Sequence, residues 1–412
     1  MKKGLKRIIA TVACISSCAL VFAACGRTPS SKPNGDYDND EFKTVELNLW
    51  VPSDSRNFYQ DRVDEFLLAH TNCEINIYEK SAGEVYGALK SDVSAGADVF
   101  MFTGEYAKEL QKINALYKLP DNYASVVRGR DNAYTMAPIE SGNGLYGFPA
   151  TLDNGWYLWY NAAFYNDSEV DSLDDILIKA RDMNKKVRYM FSSFWYATAF
   201  FNGMGCQMDY KADGTYYTDI DSDAGKSATQ AMYKYGFEYG SVLVPDYDDA
   251  TVRKLNSGET VAAFGGAWMG AQLNDNIFPA VCPQFSIDDY TSARMRPYVD
   301  GSYFGVNAQR KNKNLATELA DFLSDEQSQV ARYNELKTIP SNKNAISRFG
   351  ASDRAVSMMS MQCEMGATHL YRHPETAYSM ITDYTSACIG HLYPLYQMIE
   401  ELRYVAQTLN NL

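Results

Sequence analysis

The sequence predicts an α/β protein of two lobes, and three features carry that reading. Short apolar strands alternate with amphipathic helices twice over. Glycine or proline punctuates the chain where it changes course, as at Pro149, Gly258, Pro297, Gly301 and Pro340. Late in the chain stand one strand and several helices, too few for a third unit, so the chain must return to a lobe already begun.

In order, "VELNLWV" (45–51) alternates apolar and polar residues and reads as a strand. "NFYQDRVDEFLLAH" (57–70) places Phe58, Val63, Phe66 and Leu67 on one helical face. "CEINIY" (73–78) is a strand, 83–96 a helix, "ADVFMF" (97–102) an apolar strand, and 105–113 a short helix. This alternation signals a parallel sheet covered by helices. A second unit starts near residue 170. There "DSLDDILIKARDM" is helical, "KVRYMF" a strand and "DSDAGKSATQAMYKYGFEYG" a long helix, while "VRKLNSG" ends a helix ahead of the strand "ETVAAFGG" and the helix start "AWMGAQL". "GSYFGVNA" is the late strand, and the region from 351 to the end is largely helical.

Ahead of the body, Lys2, Lys3, Lys6 and Arg7 precede an apolar run from Ile8 to Ala24. That is the pattern of a secretory signal, too weak for a spanning helix. Its end, Phe22-Ala23-Ala24-Cys25, resembles a bacterial lipobox. The expectation is a signal over 1–24, a lipid on Cys25 and tethering to the extracytoplasmic face of the cell membrane. Residues 25–42, rich in Pro, Ser, Gly and acids, read as a flexible spacer.

The net charge of −13 becomes −17 when the four basic residues of the leader are removed. Such a surface repels nucleic acid, which is excluded as a partner. Of the cysteines, Cys73, Cys206, Cys282, Cys363 and Cys388 remain in the body, with no C-x-x-C pair. Mostly buried free thiols are expected, with at most one or two bridges. Tyrosine is abundant, at 31 residues, and its apolar face and hydroxyl suit amphipathic ligands as well as cores.

Three local motifs are weaker than they look. "GNGLYG" (142–147) matches a dinucleotide fingerprint, but Phe148-Pro149 follows where a helix is required, so a hairpin turn is the better reading. "DIDSDAGK" (219–226) has Ala224 and Gln230 where a calcium loop needs Gly and Glu, and reads as a helix N-cap. Cys363, His369 and His373 lack a fourth ligand; with the histidines placed i, i+4 on a helix they form a poor zinc set, and no metal or other cofactor is expected. Carboxylates are numerous enough that a two-acid glycosidase stays open as the enzymatic alternative.

Four stretches together resemble the extracellular solute-binding proteins of ABC importers, in the branch that contains the maltose-binding proteins. They are "LNLWV", "SAGADVFMFTGEYAKEL", "LNSGETVAAFGGAW" and "SYFGVNAQRKNKNLATELADFLSDEQSQ…IPSNKNA". The resemblance implies the periplasmic-binding-protein fold, with a ligand cleft between lobes joined by three crossings. It places a first lobe over 43–150 and 302–338, a second over 155–296 and 344–412, and hinges near 150–154, 297–301 and 339–343. It implies a monomeric receptor that performs no catalysis, captures a carbohydrate such as a maltodextrin and delivers it to permease subunits. A polyamine is the alternative cargo, since cations also select aromatics and acids.

Carried onto this chain, the family's site positions are Asp54 and Arg56 after the first strand, and Phe102 and Glu105 after "ADVFMF". Asp153 and Trp156 stand at the first crossing, Trp195 and Tyr196 open the second lobe's ligand helix, and Trp268 follows "FGGA". Tyr371 and Tyr378 fill a region where the family usually carries a tryptophan and this chain has none. Each of these aromatics has core filling as its competing reading. Trp50 and Trp159, inside strand-like runs, are expected in the core.

Overall fold

The computed structural model describes residues 44–211, 214–245 and 250–412. The leader, Cys25 and the spacer lie outside the described residues. Two sheets organise the rest.

In the first sheet, Val45–Val51 pairs in parallel with Cys73–Glu79 on one side and Val99–Thr103 on the other. Leu47, Leu49 and Val51 face the core, as their alternation requires. The helix Arg56–Leu67 buries Phe58, Tyr59, Val63 and Phe66 against it. The next helix, Ala82–Ser91, is started by a capping box between Ser81 and Glu84. The order continues with Ser302–Val306 and then Phe148–Pro149. Ser302–Val306 runs antiparallel to Val99–Thr103, so the sheet is mixed rather than wholly parallel. The reason is its route. It is not fed by a helical crossover but enters from Tyr298–Asp300, a strand of the other sheet, with Gly301 alone between them.

The second sheet is built around Asn154–Asn161, "NGWYLWYN". This strand pairs antiparallel with Thr260–Gly266, Ile277–Ala280 and Tyr298–Asp300. Alternate side chains enter different cores: Trp156, Leu158 and Tyr160 pack into one, Tyr157 and Trp159 into another on the opposite face. A strand apolar on both faces needs helices on both sides, and it has them.

Between the sheets three passes of chain run side by side. The N–H groups of Ala150 and Thr151 donate to Ser302 O at 2.8 and 3.3 Å, and the N–H of Leu152 donates to Ile339 O at 2.8 Å. A β-carbon on Gly301 would stand 2.2 Å from Thr151 O, so only glycine permits this approach. Buried Gln329 ties the passes together. Its amide donates to Asp131 and to Pro149 O, and its oxygen accepts from the N–H groups of Ser341 and Asn342.

The local motifs resolve simply. Glu140–Ser141 and Gly144–Leu145 form an antiparallel hairpin, with Gly142 at φ +55° in its turn. Ser222 caps the helix Asp223–Tyr239, and Gly258 ends the helix Thr251–Ser257 at φ +73°. The two histidines do not share a helix, a correction to the spacing argument. His369 lies in the short strand Thr368–His369 and stacks on Tyr134; His373 follows it and shares a hydrogen bond with the Tyr216 hydroxyl at 3.0 Å. The pairing of Thr368–His369 with Tyr298–Asp300 and the helix breaker Pro374 overrule the i, i+4 spacing. Among the described residues no group of three His, Cys, Asp or Glu could hold a metal ion. The five body cysteines are free, and all but Cys73 are buried.

Candidate functional site

Strands end where ligands bind in α/β proteins, because helix N-termini and loops gather at their carboxyl ends. Two adjoining cavities, of about 850 and 630 Å³, occupy that position here and share Asn154 and Trp268 on their walls. The first draws Asp54 from the turn after Val45–Val51, Asp153 from the first pass, and Tyr333, Lys337 and Asp353 from late segments. The second draws Glu105 from the turn after Val99–Thr103, Trp195 and Tyr196 from the helix Phe194–Gly203, and Tyr378 from the helix Glu375–Ile389.

Trp268 stands between them, 56 % exposed. The two glycines before it explain its pose. A β-carbon on Gly266 would come within 2.2 Å of the indole, and one on Gly265 within 2.1 Å of the Met269 sulfur. The ring therefore folds back over its own strand and offers a free face to the cavities. Behind the second cavity, Trp156 donates its N–H to Trp195 O at 3.3 Å and fixes the first turn of that helix. The indole N–H of Trp195 is buried and has no partner among the described residues.

The acids are held in place. Glu105 accepts from the Tyr378 hydroxyl at 3.3 Å, and burial raises its pKa against the opposing pull of Tyr378 and Arg372. Burial also raises the Asp153 pKa, while the Arg332 guanidinium and the Thr151 hydroxyl work to lower it. Arg332 is itself fixed by the Tyr59 hydroxyl at 2.7 Å. Asp353 accepts from Tyr333, and Arg354 pairs with Asp167 at 3.0 Å.

Of the eleven positions singled out in the sequence, Asp54, Glu105, Asp153, Trp195, Tyr196, Trp268 and Tyr378 line the cavities. Phe102 does not: it is 1 % exposed and stacks on Tyr303 inside the first core. Trp156 does not either, being fully buried among Tyr189, Tyr196 and Phe264. Both are corrections with one cause. Each lies in a strand buried on both faces, so its side chain enters a core whichever way it turns, where its place beside a ligand loop suggested exposure. Arg56 pairs with Glu79 at 3.5 Å, outside the residues lining the cavities. Tyr371 also lies outside them, with Lys108 Nζ 3.4 Å above its ring. Trp50 and Trp159 are buried; the Trp159 N–H donates to the carbonyls of Gly265 and Gly266, and its ring closes the floor of the first cavity.

Asn154, Tyr333, Lys337 and Asp353 were not foreseen. Asn154 follows Asp153 at the start of the central strand and was legible as its neighbour. The others come from the chain's return, where no local pattern reports that three distant segments meet.

Two α/β lobes with an aromatic and acidic trough at their strand ends define a binding protein of the two-lobed class. The profile of the family described as bacterial extracellular solute-binding protein matches residues 61–356, and the chain belongs to that family. It is a receptor for a solute, acting outside the cytoplasm, and not an enzyme. Among its relatives is the galactooligosaccharide-binding protein of Bacillus subtilis (strain 168), 26 % identical over 347 residues covering 79 % of this chain and 78 % of the relative. The fold is shared with the maltodextrin-binding protein of L. casei BL23 solved without ligand, at TM-score 0.78 and 18 % identity over 89 % of this chain and 99 % of that one. It is shared too with a cyclo/maltodextrin-binding protein in complex with maltotetraose, at TM-score 0.75 and 19 % identity over 90 % and 98 % of the two chains.

Proposed function

We propose that this protein is the lipid-anchored, monomeric receptor of an ABC importer, capturing an oligosaccharide such as a maltodextrin and handing it to permease subunits. The carrying observation is the exposed Trp268 indole on the wall shared by two adjoining cavities. A sugar ring presents an apolar face to an aromatic plane and a rim of hydroxyls to acids. Trp195, Tyr196 and Tyr378 supply further rings, and Asp54, Asp153 and Glu105 supply acceptors. The relative that binds galactooligosaccharide supports the same substrate class.

The proposed lobes are 43–150 with 302–338 and 155–296 with 344–412, hinged at the three passes near 150–154, 297–301 and 339–343. The hydrogen bonds of Ala150, Thr151 and Leu152 to the other two passes support this division.

An excess of carboxylates in the trough also favours a cation, so calorimetry of the mature chain against maltotriose, β1,4-galactotriose and spermidine is the deciding experiment. Saturable, stoichiometric binding of either sugar is expected. Binding of spermidine alone would overturn the carbohydrate reading.

The lipid on Cys25 has its own test. Cys25→Ala is expected to abolish labelling by a fatty-acid analogue and to release the protein from membranes, with sugar affinity unchanged. A variant that stays labelled and membrane-bound would refute the anchor.

A further inference from the structure

We propose that Asp300, which lines neither cavity, is the positioning residue that sets where the Glu105 carboxylate stands. This rests on Glu105 belonging to the ligand site described above. Asp300 is the last residue of Tyr298–Asp300 and is 2 % exposed. Its Oδ1 accepts from the N–H of Gly301 at 2.7 Å, and its Oδ2 from the N–H of Glu105 at 3.0 Å. A carboxylate from the second sheet thus caps the turn Gly104–Tyr106 that carries a ligand-site residue of the first.

The approach is built in. A β-carbon on Gly104 would stand 2.1 Å from Asp300 Oδ1 and 3.1 Å from Pro138 Cβ, so no larger residue leaves room for the contact. Glu105 is then held at three points: its N–H by Asp300, its carbonyl by the N–H of Arg372 at 3.1 Å, and its carboxylate by Tyr378.

This grip requires both Asp300 oxygens to accept. Protonation, or replacement by asparagine, turns one into a donor aimed at an N–H. The groups facing Asp300 are Glu105, the phenol of Tyr134 (whose hydroxyl donates to Val299 O at 2.9 Å), Tyr303 and Tyr371. Burial first, with the charge of Glu105 adding to it, pushes the Asp300 carboxyl up to about 7, against the pull of the N–H groups of residues 301, 105 and 104. The nearby His369 and His373 are pushed by burial down to about 4 and stay neutral through this range.

The signs then oppose one another. A carboxyl whose folded pKa is raised contributes stability that is complete below its ordinary pKa of about 4 and lost as pH rises through about 7. Its grip on Glu105 is complete above about 7 and lost below. Through this one group, affinity rises with pH while stability falls, which a purely structural carboxylate would not produce.

The test measures affinity for maltotriose, β1,4-galactotriose and spermidine from pH 5.5 to 8.5 on the mature full chain, for wild type, Asp300→Asn and Gly104→Ala, together with the amide resonance of Glu105. Wild type is expected to lose about tenfold in affinity between pH 8 and 6, the cost of one hydrogen bond in a closed site. The Glu105 amide should titrate with the same midpoint near 7. Asp300→Asn should lie about tenfold below wild type at pH 8 and converge with it at pH 6. Titration of Glu105 itself survives in that variant, so the difference between the profiles belongs to Asp300. Gly104→Ala, which drives the carboxylate away from the other side, should match it, and the wild-type profile stands if either variant fails to fold. Overlaid curves at pH 8, parallel curves throughout, or a Glu105 amide that does not titrate would overturn the proposal. If none of the three probes binds wild type, the carbohydrate reading falls, and the Glu105 amide titration in wild type against Asp300→Asn decides by itself whether Asp300 holds Glu105: the part near pH 7 should vanish in the variant, and identical titrations would overturn the proposal.

Discussion

Truncating Trp268 to alanine is expected to weaken oligosaccharide binding roughly 30- to 150-fold while leaving the melting temperature nearly unchanged. An indole stacked on a sugar ring removes on the order of 100 Å² of apolar surface from water, about 2–3 kcal/mol, and each 1.4 kcal/mol is about tenfold. Before ligand binds, the ring is 56 % exposed, so its loss opens no cavity in a core. Calorimetry and thermal unfolding on the same sample separate the roles. A variant that melts many degrees lower yet binds the sugar normally would show that the indole supports the fold instead.

Trp156→Ala should do the opposite, costing about 3–5 kcal/mol of stability, as truncation of a large buried aromatic does. Its ring lies 5.0 Å from Tyr196 and 6.0 Å from both Tyr189 and Phe264, and its N–H holds the Trp195 carbonyl. Denaturant unfolding measures the loss. Trp156→Phe refines the point: it keeps one ring of the two but loses the other with its N–H, so stability should recover in part while any change in affinity reports on Trp195. Unaltered unfolding of Trp156→Ala would contradict the burial seen here.

These two tryptophans show what was legible in the sequence. The alternation of strands and helices, the glycine endings and the N-caps are local, and they found both lobes. Trp268 was legible because "FGGAW" matches a site position of the resembled family and sets small residues beside an indole at a strand's end. Trp156 was misread because its neighbours in "NGWYLWYN" are apolar on both faces, and such a strand gives no sign of which face meets ligand. The antiparallel Ser302–Val306 was beyond local pattern too, since its partner is fixed by the route of the chain and not by its own residues. Lys337, Asp353 and Asp300 reach the site region by that same route.

That route has a consequence for how the molecule comes into being. Val99–Thr103 finds its second neighbour only when Ser302–Val306 arrives, roughly 200 residues later, and pairings so distant in sequence form slowly. A chain emerging from its N-terminus therefore carries a first lobe with an open edge until most of its length has been made. Such an edge is a hazard for association with other chains. It is also a delay: the sheet of the first lobe is complete only when most of the chain has been made.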